Sequence, residues 1–295
     1  MKRLIITCIF ISFFSAIKAG DKPAYIIYDS QGKKVDYTQI IEAALKSEII
    51  LIGEQHNNPI AHWLELQITK DVYKIIKNNL ILGAEMFEAD NQTIVNEYVE
   101  KLIAYKNFKA DARLWPNFET DYKPLLDFAR DSSLKFIATN VPRRYAAIVN
   151  NEGFEGLDKL SADAKKWIVP LPVKYDPSLP GYKKMTETSG MGGMGAMLSK
   201  AKKENLPKAQ AIKDATMAYF ILSNLVKGKS FIHYQGAYHS DNYEGINWYL
   251  KQARPDVKIL TISTIEQDDI FSLSTDNLKV ADFIICVPSD MTKTY

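Results

Sequence analysis

Short apolar runs alternating with stretches of helical period constrain this chain more than any other feature of its 295 residues. Glu48–Ile52, Leu80–Glu85, Leu134–Thr139, Ser230–Tyr234 and Val257–Ser263 are too short for helices and apolar enough to be buried on both faces. Between them, residues 59–78, 93–105 and 244–253 repeat apolar side chains at helical spacing. In the first of these, Trp63, Ile68, Val72, Ile75 and Ile76 supply the expected stripe. Alternation of this kind predicts βαβ units, and so an α/β fold with a mostly parallel sheet and helices on both faces. A last apolar run, residues 281–287, closes or edges that sheet.

The pattern changes between residues 145 and 225. No strand signal appears there, and four prolines between Pro170 and Pro180 interrupt any regular element. A Gly/Met-rich loop over residues 188–199 precedes a helix over residues 208–226. The expected organisation is an α/β core of residues 20–144 and 226–295. Residues 145–225 form a smaller all-helical insertion, a lid over the carboxyl edge of the sheet.

The first residues carry a different signal. Lys2 and Arg3 precede the apolar run Leu4–Ile17, and Lys18-Ala19-Gly20 follows, which reads as a secretory signal peptide over residues 1–19. Cys8 sits too early in that run to be a lipid-attachment cysteine, leaving Cys286 alone in an apolar stretch as a small core residue. Export without disulfides points to a periplasm. A net charge of +2, with no basic stripe interleaved with aromatics, excludes a nucleic-acid partner.

In a parallel sheet all strand carboxyl ends share one edge, and ligands bind there. Ile49-Ile50-Leu51-Ile52 runs into Gly53-Glu54-Gln55-His56, and Leu80-Ile81-Leu82 into Gly83-Ala84-Glu85. Phe136-Ile137-Ala138-Thr139 runs into Asn140-Val141-Pro142-Arg143-Arg144, and Phe231-Ile232-His233-Tyr234 towards His239. All four histidines fall in or beside the first and last of these segments. Glu54, His56, Glu85 and His239 are therefore expected to converge in one cleft. There they would act as acid/base groups or as ligands of a divalent zinc, manganese or iron ion, with Arg143 offsetting the paired carboxylates.

His62 lies six residues beyond His56, about 240° round a helix, and is expected on a packing or surface position off that face. His233, within a strand, should be buried and hydrogen-bonded. Met185, Met191, Met194 and Met197 make an adaptable apolar surface whose thioethers can also ligate haem iron. Tyr122, Tyr238 and Tyr243 are the phenols nearest these motifs. No P-loop, dinucleotide fingerprint, His-Glu-x-x-His helix or Gly-x-Ser-x-Gly turn is present.

In order along residues 45–260, Gly53-Glu54-Gln55-His56-Asn57, Gly83-Ala84-Glu85-Met86-Phe87, Trp115 with Tyr122-Lys123-Pro124, Asn140-Val141-Pro142-Arg143, the segment from Ala209 to Ala218 and Gly236-Ala237-Tyr238-His239 resemble the ChaN-like haem-binding uptake family. That family belongs to a larger grouping with the Tiki proteins and the erythromycin esterases. The resemblance implies a parallel-sheet domain with a smaller all-helical one. It also implies haem bound through a tyrosine at a dimer interface and a role in haem and iron uptake with outer-membrane machinery. The cofactor-binding candidates are then Tyr122, Tyr238, Tyr243, Met191, Met194 and Arg143. The Tiki-like relatives imply a second function, metal-dependent hydrolysis, which maps onto residues 53–56, Glu85 and His239. Typical ChaN proteins are lipoproteins, and this chain departs from them in lacking a lipid-attachment cysteine.

Overall fold

The computed structural model describes residues 20–188 and 199–295. The expected signal peptide and Met191, Met194 and Met197 lie outside the described residues.

The chain begins with β1 (Ile26–Asp29), α1 (Tyr37–Ala44), β2 (Ile49–Glu54), α2 (Pro59–Ile76) and β3 (Leu80–Glu88). It continues with α3 (Gln92–Val99), α4 (Tyr105–Asp111), α5 (Lys123–Asp131), β4 (Phe136–Asn140) and α6 (Arg143–Glu152). Then come α7 (Ala162–Lys165), α8 (Pro180–Thr188), α9 (Lys200–Asn224), β5 (Ser230–Gly236), α10 (Gly245–Ala253), β6 (Ile259–Gln267) and β7 (Phe283–Pro288). The strands form one seven-stranded sheet in the order β1-β7-β6-β2-β5-β3-β4. Every pairing is parallel except that of β1 with β7. The mostly parallel sheet expected from the alternation is present, with β1 and α1 as additions.

Side chains along β2 alternate between two apolar layers, as a strand covered on both faces requires. Ile50 and Ile52 share a core with Ile40 of α1 and Leu64, Ile68 and Val72 of α2. Ile49 and Leu51 pack with Ala215, Met217, Ala218 and Ile221 of α9 and Leu250 of α10. The stripe of α2 differs from the one read in the sequence. Leu64, Ile68 and Val72, spaced by four, are buried, whereas Trp63 and Ile75 are 49% and 58% exposed on the outer face.

Residues 145–225 contain no strand among the described residues. The second half of α9 covers one sheet face, while Gln210 and Asp214 of α9 and Tyr182 of α8 reach the carboxyl edge. Beneath that edge Gly83 is a necessity of packing. A Cβ there would stand 2.6 Å from the Phe231 ring.

Both margins of the sheet are occupied by the chain itself. Beside β4, the Gln92 side chain donates to the Phe136 carbonyl at 2.9 Å and accepts from the Ala138 amide at 2.7 Å, as a neighbouring strand would. Beside β1, Val35 donates to Ile27 at 3.0 Å and Asp29 to Lys33 at 2.9 Å.

Candidate functional site

The carboxyl edge is built on buried charge. Glu54 ends β2, and the chain then turns through residues 55–58 before Asn58 caps α2, its side chain accepting from the Ile60 and Ala61 amides. Glu54 Oε1 accepts from His56 Nδ1 and from the Tyr122 hydroxyl, each at 2.7 Å. Glu54 Oε2 lies 3.2 Å from Nδ1 of His62, which is also 3.3 Å from Oε2 of Glu65. On its other side, Nε2 of His62 lies 3.1 Å from the His56 carbonyl and 3.5 Å from Asp121 Oδ2.

Burial raises the pKa of Glu54, but the two imidazoles of His56 and His62 outweigh it and hold the carboxylate low. Glu65 moves the other way, raised first by burial and then by the charge of Glu54. Burial alone would lower His62, yet the two carboxylates push it up to about 11.

A second group forms across α9, β3 and the turn after β5. His239 Nδ1 lies 2.5 Å from Asp214 Oδ1, and Nε2 lies 3.1 Å from Glu85 Oε1. The remaining oxygens are also engaged. The Gly236 amide donates to Glu85 Oε2 at 2.8 Å, and the Tyr182 hydroxyl to Asp214 Oδ2 at 2.7 Å. Burial works against a charged His239, but Glu85 and Asp214 push it up to about 10. Burial likewise opposes ionised Glu85, and His239 together with the Gly236 amide holds its pKa well below the usual carboxylate range.

The two groups meet over Gly236. A Cβ there would lie 2.8 Å from His56 Cε1 and 3.6 Å from Glu85 Oε2, so only glycine lets the imidazole and the carboxylate approach from the two sides. The structure thus brings Glu54, His56, Glu85 and His239 together along one edge, as two carboxylate–imidazole pairs. Their charges are offset by the imidazoles and not, as expected, by Arg143, which is exposed and has no partner among the described residues. The tightest grouping of possible metal ligands shares only Glu54 with the set read from the sequence. Among the described residues, the group with ligand atoms all within 4.8 Å of one another is Glu54, His62 and Glu65.

His56 is the exposed member, its side chain 41% accessible, with its ring edge-on to Trp115 at 5.1 Å. Trp115 also lines a cavity of about 610 Å³ together with Glu88, Arg113, Leu114, Arg143 and Arg144. Arg113 pairs with Glu88 and Asp90, and Arg144 with Asp90.

The three tyrosines separate by environment. Tyr122 is buried with its hydroxyl committed to Glu54. Tyr238 and Tyr243 are exposed, donating to the Gly181 carbonyl at 2.7 Å and to Asp282 at 3.1 Å. His233 is buried between Gln235 and Thr139, as expected, and burial lowers it to about 4.

Sequence reasoning passed over Glu65, Asp121 and Asp214 and left His62 outside the site. The spacing of His62 and Glu65, three apart on one helix, is the signal that would have found that pair.

A parallel α/β sheet with buried carboxylate–imidazole pairs at its carboxyl edge defines the class. Residues 40–250 match the family described as haem-binding uptake, Tiki superfamily, ChaN, and the chain belongs to that family. The fold is similar to that of ChaN of Campylobacter jejuni, a structure described as cofacial haem binding, with a TM-score of 0.69 at 17% identity over 90% of this chain and 97% of that one. An erythromycin esterase, EreC in its open conformation, gives a TM-score of 0.48 at 10% identity over 89% of this chain and 97% of the esterase. The chloroplastic protein RETICULATA-RELATED 5 of Arabidopsis thaliana is 31% identical over 130 residues, 42% of this chain, and the match spans 18% of its own length.

Proposed function

We propose that this chain binds haem at the carboxyl edge of its sheet, beside Trp115 and His56. The observation that carries the reading is the cavity of about 610 Å³ that combines Trp115 and Leu114 with Arg113, Arg143 and Arg144. Haem requires an apolar slot, cations for its propionates and an axial ligand. Of the three arginines, Arg143 is the one without a partner among the described residues, and the cavity is of a size that takes small ligands. For the iron, His56 offers Nε2 because Glu54 holds its Nδ1, whereas Tyr238 lines a separate cavity with Gly181, Asp214 and Glu244, and Tyr243 donates to Asp282. Membership in a haem-binding family supports the same reading.

A hydrolase would need an ion with an open position shared by Glu54, His56, Glu85 and His239. Glu85 and His239 are buried against each other with their polar atoms engaged, so haem binding is the better supported function. Export through residues 1–19, action in a periplasm, pairing of two chains around haem and hand-over to an outer-membrane uptake machinery extend the proposal. Their support is the charged and apolar N-terminal segment and the cofacial haem binding described for the Campylobacter jejuni protein.

Haemin titration of the purified chain, read by absorption and by sedimentation, tests this. The expected result is a saturable Soret band distinct from free haem and a shift towards dimer. Arg143→Ala should weaken binding about tenfold or more, the size of a lost hydrogen bond to a charged group. His56→Ala should change the axial-ligand spectrum. A spectrum identical to free haem at saturation overturns the proposal.

A further inference from the structure

Two buried acceptors beneath His56 have no hydrogen-bond donor among the described residues, Glu54 Oε2 and Glu65 Oε1. Both belong to side chains that are 1% accessible, and a buried carboxylate oxygen left bare is costly. The arrangement around them is directional. Glu54 Oε1 already takes two donors, His56 and Tyr122, so it is the undonated oxygen that faces His62. His62 Nε2 meets the His56 carbonyl at 3.1 Å, and a carbonyl only accepts, so Nε2 carries the hydrogen. Nδ1 then faces two carboxylates, so the space between the three atoms holds a positive group, either the second proton of a charged ring or a metal ion in that proton's place.

The spacing indicates what that is. Ligands about 2.1 Å from a metal stand about 3.4 Å apart in a tetrahedron and about 3.0 Å apart as neighbours in an octahedron. Nδ1 of His62 lies 3.2 Å from Glu54 Oε2 and 3.3 Å from Glu65 Oε2, and all three ligand atoms fall within 4.8 Å of one another. A ligating histidine commonly donates its other N–H to a carbonyl or carboxylate, and here the His56 carbonyl and Asp121 take that place.

We propose that Glu54, His62 and Glu65 form a closed site for one divalent transition-metal ion, sealed beneath His56 and separate from the haem surface. The donor set, one imidazole and two carboxylates, suits zinc, manganese or ferrous iron. The ion ties the first turns of α2 to the end of β2. It also positions His56, whose Nδ1 bonds one ligand and whose carbonyl accepts from another.

The full chain, stripped with chelator and dialysed, is titrated with Co²⁺ and separately with Zn²⁺, and bound metal is counted by mass spectrometry. The expected result is one ion per chain, visible d–d absorption with Co²⁺ and a raised melting temperature. Glu65→Gln, close in shape, should weaken binding by more than the roughly 10–100-fold that loss of a second-shell partner costs. Glu85→Gln, which changes the neighbouring group, should leave the stoichiometry at one. Substoichiometric metal in the wild-type chain, or equal affinity in Glu65→Gln, overturns the site, and the wild-type count decides even if a variant fails to fold. Haemin added to the Co²⁺ form separates the two proposals. Failure to bind haem with the d–d bands intact leaves this site standing, whereas loss of the bands on haem binding overturns its separateness.

Discussion

His62 and His239 are both buried imidazoles held between two carboxylates, yet their surroundings are finished differently. Around His239 every carboxylate oxygen has a partner, supplied by the imidazole, the Gly236 amide and the Tyr182 hydroxyl. Around His62 two carboxylate oxygens have none among the described residues. A fully satisfied buried network rigidifies the structure around it, and a partly satisfied one awaits a further charge. The difference separates a clasp complete in itself from the group proposed above to hold a metal ion, although the residue types are the same.

The largest expected effect tests the clasp. Glu85→Ala removes the partner of a buried charged imidazole and of a buried amide, and should cost about 3–5 kcal/mol in urea unfolding. A loss below about 1 kcal/mol would erase the contrast. The pH dependence follows the same group. His239 is raised to about 10 from an ordinary 6.5, so its contribution is complete below pH 6.5 and is lost as pH rises towards 10. Glu85 is held below its ordinary 4.5, so its contribution is complete above pH 4.5 and is lost as pH falls further. Unfolding free energy measured against pH should therefore plateau between 4.5 and 6.5 for this pair and fall on both sides, with Glu85→Gln flattening both limbs.

Smaller effects sharpen the other side. Tyr122→Phe takes one of two donors from Glu54 Oε1 and should cost about 1.5–3 kcal/mol by the same assay. The smallest is Glu65→Gln in the metal-free chain, which removes a like charge beside Glu54. It should stay within about 1 kcal/mol of wild type, since the glutamine carbonyl can still accept from His62 where Glu65 Oε2 did. A loss as large as that of Glu85→Ala would mean that the two groups are the same kind of object.

Much of this edge was legible because strand ends announce themselves. An apolar run that meets a glycine and a carboxylate, as at Gly53-Glu54, marks where a buried strand reaches the ligand side, and Glu54, Glu85 and His239 were found that way. The strands themselves run further than their apolar cores, β2 through Glu54 and β3 through Glu88, because a parallel ladder continues wherever its neighbour does. His62 was missed because its angle was counted from His56, while the helix begins only at Pro59. Asp214 comes from a helix far along the chain, and only the tertiary fold delivers it to His239. The misread stripe of α2 shows a similar limit, since Trp63 and Ile75 are apolar yet face outwards, and apolarity alone does not choose a face.

Gln92 and the turn after β1 act on the sheet as end groups act on a polymer. One side-chain amide terminates growth past β4, and residues 33–35 terminate it past β1. Among the described residues, the outward backbone groups of Phe136, Ala138, Ile27 and Asp29 are thus already engaged, which leaves a second copy of this chain less ladder to extend at either margin. Self-association is thereby shifted towards surfaces that a ligand can cover or expose.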